Sequence, residues 1–186
     1  NGNFAHDLQV PPETDSAFSL SEEETRMENF TISLAKLSER VNMEVVYTPR
    51  ELNQINVEIA EVNRPGLFLA GYYEYFDNLR LQIMGLAEMN FLSVQTPERR
   101  YEALDHLFGQ MPPAVIVSRS DELTPFPEMV ELAQKYKVAL LRSNEATCVL
   151  MGSLLSVLNM ELAPRITRHG VLVEVYGEGI LIVGDS

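Results

Sequence analysis

Two short passages set a cation and a hydroxyl side by side where a ligand could use them. Val117-Ser118-Arg119 ends the apolar run Ala114-Val115-Ile116-Val117, and Leu141-Arg142-Ser143 ends the run that begins at Val138. Each pair falls just past the C-terminal end of a predicted strand, the edge at which open α/β sheets take their ligands. An arginine there could hold an anion; the alternative is a solvated loop arginine beside a capping serine. The other candidates are single residues. Cys148 is the one cysteine, so no internal disulfide can form, and with only His6, His106 and His169 no Cys/His cluster has zinc-site spacing. No bound metal is expected. His169 precedes an apolar run, and a lone histidine before a strand is more often structural than catalytic. His106 sits one residue from the apolar stripe of Leu104 and Leu107, and is expected to be partly solvated and not catalytic. Gly184, Asp185 and Ser186, taken alone, read as a turn.

Holding such residues requires a sheet, and the apolar pattern supplies one. From Thr31 short helical stripes alternate with short apolar runs, the signature of an α/β domain. Leu34, Leu37 and Val41 fall at helical spacing after Ser33 as N-cap, and Val45-Val46-Tyr47 reads as a strand stopped by Pro49. Residues 55–62 alternate apolar with polar side chains, and 79–84 form another short strand candidate. Thr96 and Pro97 suit N-cap and N1 of a helix over 97–108 whose stripe is Tyr101, Leu104 and Leu107, with Gly109 as its stop. Residues 114–118 read as a buried strand, followed by a helix at 127–136, a strand at 138–141 and a helix at about 145–160. Strand, helix, strand in succession implies a parallel pair. After Pro164 the pattern becomes a hairpin, with Val171–Tyr176 and Ile180–Val183 flanking Gly177-Glu178-Gly179.

This divides the chain into an acidic extension or appended sequence at 1–26, an α/β domain at 27–158 and a segment at 159–186 made of linker and hairpin. The first 30 residues hold seven of the 27 acidic side chains and only Arg26 of the 14 basic ones. The formal charge of −13 disfavours nonspecific contact with nucleic acid or anionic lipid, which need clustered Lys and Arg. There is no run of about 18 uncharged apolar residues for a membrane span and no signal-peptide pattern at the start, so the cytoplasm is the expected compartment.

Two stretches carry a family resemblance. In residues 61–76, Arg64-Pro65-Gly66 leads into Ala70-Gly71 with Phe68, Tyr72, Tyr73, Tyr75 and Phe76 around it. The local reading is a type II turn with Gly66 at positive φ, a close backbone approach at Gly71, and aromatics that belong to the core. In residues 162–186, His169 stands fifteen positions before Gly184 with the hairpin between them. Both stretches resemble the HPr kinase/phosphorylases, and the resemblance runs from about Thr31 to Ser186.

The resemblance implies an N-terminal domain with a small, mostly parallel sheet flanked by helices, similar to the N-terminal domain of Mur ligases, followed by the hairpin that opens a P-loop kinase domain. It implies a bifunctional enzyme of carbon catabolite regulation, homo-oligomeric at full length. Such an enzyme phosphorylates a serine of the phosphocarrier HPr with ATP or pyrophosphate and Mg, and removes the phosphate by phosphorolysis. His169 matches a family active-site histidine. Gly184, Asp185 and Ser186 match the opening of the Walker A loop, G-x-x-x-x-G-K-S/T, whose N–H groups wrap phosphate, whose lysine neutralises charge and whose hydroxyl binds magnesium. The rest of that loop is not in this sequence, so the 186 residues alone are expected to be inactive and to bind no nucleotide or Mg. The competing expectation is a stand-alone module that binds a ligand or partner.

Overall fold

The computed structural model describes residues 30–164, 170–176 and 178–183. In chain order the elements are β1 (Ile32–Ser33), α1 (Leu34–Val41), β2 (Glu44–Tyr47), a 3-10 turn (Leu52–Gln54), β3 (Asn56–Val57), β4 (Val62–Asn63), α2 (Gly66–Leu69) and β5 (Leu81–Met84). Next come α3 (Leu86–Ser93), α4 (Pro97–Gly109), β6 (Ala114–Val117), α5 (Pro127–Tyr136), β7 (Ala139–Arg142), α6 (Thr147–Leu162), β8 (Gly170–Val175) and β9 (Glu178–Val183). The main sheet has the order β2-β7-β6-β5-β4, with β7, β6, β5 and β4 parallel and β2 antiparallel at the edge. β1 pairs with β3, and β8 with β9, as separate antiparallel pairs.

The unbroken apolar runs are explained by burial on both faces. Leu81 and Ile83, Ala114 and Ile116, and Ala139 and Leu141 face a layer containing α1 and α6. The residues between them, Val115, Val117 and Leu140 with Met84, face a layer of α2, α3, α4 and α5. Alternation of period two thus feeds two cores from one strand, and each fully buried Ile or Leu contributes roughly 1.5–3 kcal/mol. Gln82 is the polar exception, fully buried but fully used. Its amide nitrogen donates to the carbonyls of Asp77 and Arg80, and its oxygen accepts from Asn63 Nδ2 at 2.8 Å.

Helix ends follow their sequence signals. Ser33 Oγ accepts the Lys36 N–H and Thr96 Oγ1 accepts the Arg99 N–H, with Pro97 at the first helical position. Gly109 is the last residue of α4, and the chain turns off at Met111, φ 52°. Helices α4 and α5 are tied by polar contacts along their length. Arg100 bonds Glu128 through Nε and Nη2, Tyr101 donates to Glu131, and Asp105 accepts from both Lys135 and Tyr136.

Four local expectations are corrected. Residues 55–62 are not one strand: Val57 packs with Ile32 against α1, whereas Val62 joins the main sheet beside Leu81. Pro65-Gly66 is not a type II turn, because the Pro65 carbonyl accepts the Leu69 N–H at 2.8 Å and the chain passes straight into α2. The positive φ belongs to Gly71, at 98°, and a Cβ there would meet nothing within 4 Å, so conformation and not close approach calls for glycine. Of the aromatics expected in the core, Phe68 is buried and Phe76 half-buried. Tyr72, Tyr73 and Tyr75 are exposed, Tyr75 at 93%. Phe76 finds cover against Phe68 at 4.1 Å between ring centroids, whereas Tyr73 meets the same ring edge-on and stays exposed.

Candidate functional site

The C-terminal ends of β4, β5 and β6 deliver Arg64, Gly85 and Ser118-Arg119 to one edge of the main sheet. Helix α3, which packs on one face of the sheet, and α6, which packs on the other, both begin at this edge, so their first turns straddle it. Between them lies a cleft of about 420 Å³ lined by Arg64, Leu86, Ala87, Asn90, Arg119, Thr147 and Cys148. A crevice of this kind, outside the carboxyl ends of parallel strands, is the ligand position of open α/β folds.

Gly85 is the floor. Its φ is ordinary, but a Cβ would lie 2.6 Å from Thr147 Oγ1 and 3.3 Å from Arg64 Nη2. Only glycine lets those side chains close over the strand-to-helix turn. The Thr147 hydroxyl bonds Ser118 Oγ at 2.7 Å, and Ser118 Oγ lies 3.3 Å from the Met84 carbonyl, so β5, β6 and α6 are locked by one hydroxyl pair. Buried Glu88 accepts the Gly85 N–H at 2.9 Å, the reaching-back half of a capping box, and takes Arg64 Nη2 at 2.8 Å on the same oxygen. That pair fixes the Arg64 guanidinium at the rim, with 40% of the side chain still exposed.

Arg119 reaches the cleft from a left-handed backbone, φ 55°, held by its N–H to the Glu145 carbonyl. A non-glycine residue in this region carries strain that gathers at functional sites. Its ion pair with Glu122, at 3.2 Å, is an exposed one of little strength. Helix α6 has Ala146 at its N-cap without a side-chain cap, and no acid in its first turn. Its leading N–H groups therefore keep their partial positive charge.

Of the two cation and hydroxyl pairs read from the sequence, one is at the cleft and one is not. Arg142 is the last residue of β7 and bonds Glu44 of β2 through Nε and Nη2, at 2.9 and 2.6 Å. Ser143 is buried, its hydroxyl accepting the Glu145 N–H and its own N–H bonding the Val117 carbonyl. Both are structural. His106 is exposed on α4 with its ring 4.9 Å from that of Tyr73. His169, Gly184, Asp185 and Ser186 lie outside the described residues, as does the segment 1–26. Arg64, Gly85, Glu88 and Thr147 were not singled out as a site from sequence. The available signal was a glycine between a strand and a helix with a glutamate three positions on. Among the described residues no group of His, Cys, Asp and Glu could hold a metal, and no helix is long and apolar enough to cross a membrane.

The family described as HPr Serine kinase N terminus matches residues 32–158. The chain is 42% identical over 157 residues to an HPr kinase/phosphorylase of Caldicellulosiruptor bescii, and 40% identical over 157 residues to one of Streptococcus uberis. One of Streptococcus thermophilus is 38% identical over 156 residues. Each alignment covers 84% of this chain and 50% of the relative, so the chain spans about half the length of the curated relatives it matches. Among solved structures it is similar in fold to the regulatory region of a Clostridium perfringens pyrophosphatase, its CBS and DRTGG domains complexed with diadenosine tetraphosphate. That likeness has a TM-score of 0.50 and 13% identity, and it covers 71% of this chain and 50% of that one.

Proposed function

Because the chain belongs to the HPr Serine kinase N-terminal family, we propose that it forms the N-terminal part of a bifunctional HPr kinase/phosphorylase. The observation that supports this reading is the 37–42% identity to proteins of that name over the domain described above. In this reading the whole enzyme phosphorylates a serine of HPr with ATP or pyrophosphate, reverses the step by phosphorolysis, and works in the cytoplasm as a homo-oligomer in carbon catabolite regulation. The N-terminal domain takes a Mur-ligase-like fold, and the hairpin β8–β9 opens a P-loop kinase domain.

Phosphoryl transfer needs in-line placement, cations on the moving phosphate and a base for the serine proton. His169 would lie near the transferred phosphate, and Gly184, Asp185 and Ser186 would begin the loop that wraps it. The 186 residues contain no Gly-Lys-Ser/Thr sequence, so they offer neither the lysine nor the hydroxyl that would hold magnesium. This polypeptide by itself is proposed to be inactive. The test is transfer of labelled phosphate to HPr from ATP and from pyrophosphate, and release of phosphate from phosphoserine-HPr. A polypeptide extended through a complete P-loop domain should do both, and the 186-residue one neither. Failure of the extended form would reject the reading.

The second reading, a module that binds a ligand or partner by itself, is favoured by the cleft, which is formed entirely within the matched domain. Titration with HPr and with nucleotide sugars separates the two: binding of a sugar nucleotide without HPr supports the module.

A further inference from the structure

We propose that the cleft between the first turns of α3 and α6 is a site for a phosphate-bearing small molecule, separate from the phosphotransfer proposed above. Four observations converge. The chain carries a net charge of −13, yet the lining holds two arginines and, among the described residues, no carboxylate. Glu88, which meets Arg64 at the rim, is buried and committed to the Gly85 N–H and to Arg64. A guanidinium has five N–H donors, so the single Glu88 contact leaves Arg64 free to bond an oxyanion as well. Arg119 approaches from the adjoining strand end, and its exposed Glu122 contact is easily exchanged for a ligand.

The walls add donors of the same polarity. Thr147 and Cys148 open α6, whose N-terminus lacks both a side-chain cap and a first-turn acid. Leu86 and Ala87 open α3 across the gap. The uncapped start of α6 and two guanidiniums directed at one space favour an oxyanion over a cation or an apolar ligand. The volume of about 420 Å³ exceeds what a lone phosphate fills and suits a phosphate monoester of metabolite size.

Cys148 supplies a built-in reporter, since it is the only cysteine, is exposed and lines the cleft. Alkylation of the 186-residue protein by iodoacetamide would be followed with inorganic phosphate, glycerol 1-phosphate, or glycerol and NaCl at matched ionic strength. Amide shifts of Gly85, Leu86, Arg119, Thr147 and Cys148 would be recorded in the same titrations. Both phosphates should slow alkylation saturably and move those amides, with a Kd on the order of 1 mM or below. Tighter binding of the ester identifies an organic phosphate as the ligand, and equal or weaker binding identifies inorganic phosphate.

Two variants separate the site from the fold. Arg119→Gln should weaken binding at least about ten-fold. Ala87→Glu places a carboxylate in the first turn of α3, which favours the helix but repels an anion, so thermal stability should hold or rise while binding falls at least about ten-fold. The proposal is overturned if alkylation and shifts are unchanged up to about 20 mM phosphate. It is equally overturned if NaCl acts as phosphate does, or if Ala87→Glu binds normally.

Discussion

The Thr147 hydroxyl oxygen stands 2.6 Å from the point where a Cβ on Gly85 would lie. The start of α6 is thereby seated on the backbone at the end of β5, and the contact depends on a missing methyl group. Gly85→Ala should destabilise the domain by about 1–3 kcal/mol, because Thr147 must leave its bond to Ser118 to make room. Urea unfolding of Gly85→Ala, Thr147→Ala and the double variant checks this. The double variant should lose less than the sum of the single losses, since Thr147→Ala removes both atoms nearest the new methyl group.

Ile116 and Tyr75 give opposite expectations for two large side chains. Ile116 is fully buried in the layer against α1 and α6, so Ile116→Ala should cost about 2–5 kcal/mol. Tyr75 is 93% exposed at φ 59°, and Tyr75→Gly should leave stability unchanged or raise it by up to about 1 kcal/mol by relieving the left-handed backbone. Chemical denaturation midpoints measure both.

Acid should loosen the α4–α5 pairing first. The bond from Lys135, reinforced by Tyr136, holds the Asp105 carboxyl below its ordinary 3.8. Burial pushes Glu128 up, but its own backbone N–H and the Arg100 guanidinium outweigh it and leave the carboxyl below 4.5. For carboxyls depressed in the folded state, the unfolded chain takes up protons first, so stability present above the ordinary values is lost as pH falls through the folded ones. Thermal unfolding between pH 6 and pH 3 should show Tm falling below about pH 4.5, with a shallower fall in Glu128→Gln. Lys135 is raised above its ordinary 10.5 by the same Asp105 contact, so its contribution persists well past neutral pH and is lost only on the strongly alkaline side.

His106 lies on the outer side of α4 against Tyr73, remote in type and partners from the cleft. In the full-length HPr kinase/phosphorylase proposed above, His106→Gln should leave turnover within about two-fold, whereas removal of a general acid or base costs about 100-fold or more. Steady-state phosphorylation of HPr distinguishes these.

The elements most legible in the sequence were those whose signals are local. Thr96-Pro97 and the Leu104/Leu107 stripe mark α4, and the both-faces apolar run of 114–117 marks a strand with cores on either side. The cleft was half legible. Ser118-Arg119 could be placed at a strand end, but Arg142, in the same kind of position, is taken up by Glu44 of a strand that propensity cannot bring beside it. Arg64, Gly85 and Thr147 meet only because three separate crossovers end at one edge, a tertiary fact with no short-range signature. The aromatic stretch misled for the same reason: composition marks rings as buried, but the path of the chain after Gly71 decides which are covered.

The place of β2 bears on how the chain comes to be folded during synthesis. Glu44 and Arg142 are 98 residues apart, and among the described residues β7 is the only strand with which β2 pairs. At ribosomal speeds of about 5–20 residues per second, the segment Glu44–Tyr47 waits on the order of 5–20 s for its partner to be made. Throughout that interval Val45, Val46 and Tyr47 are without the strand they pair with in the folded domain. A charge at the head of such a segment is a general device against pairing with other chains, and here Glu44 also meets Arg142 once β7 is in place.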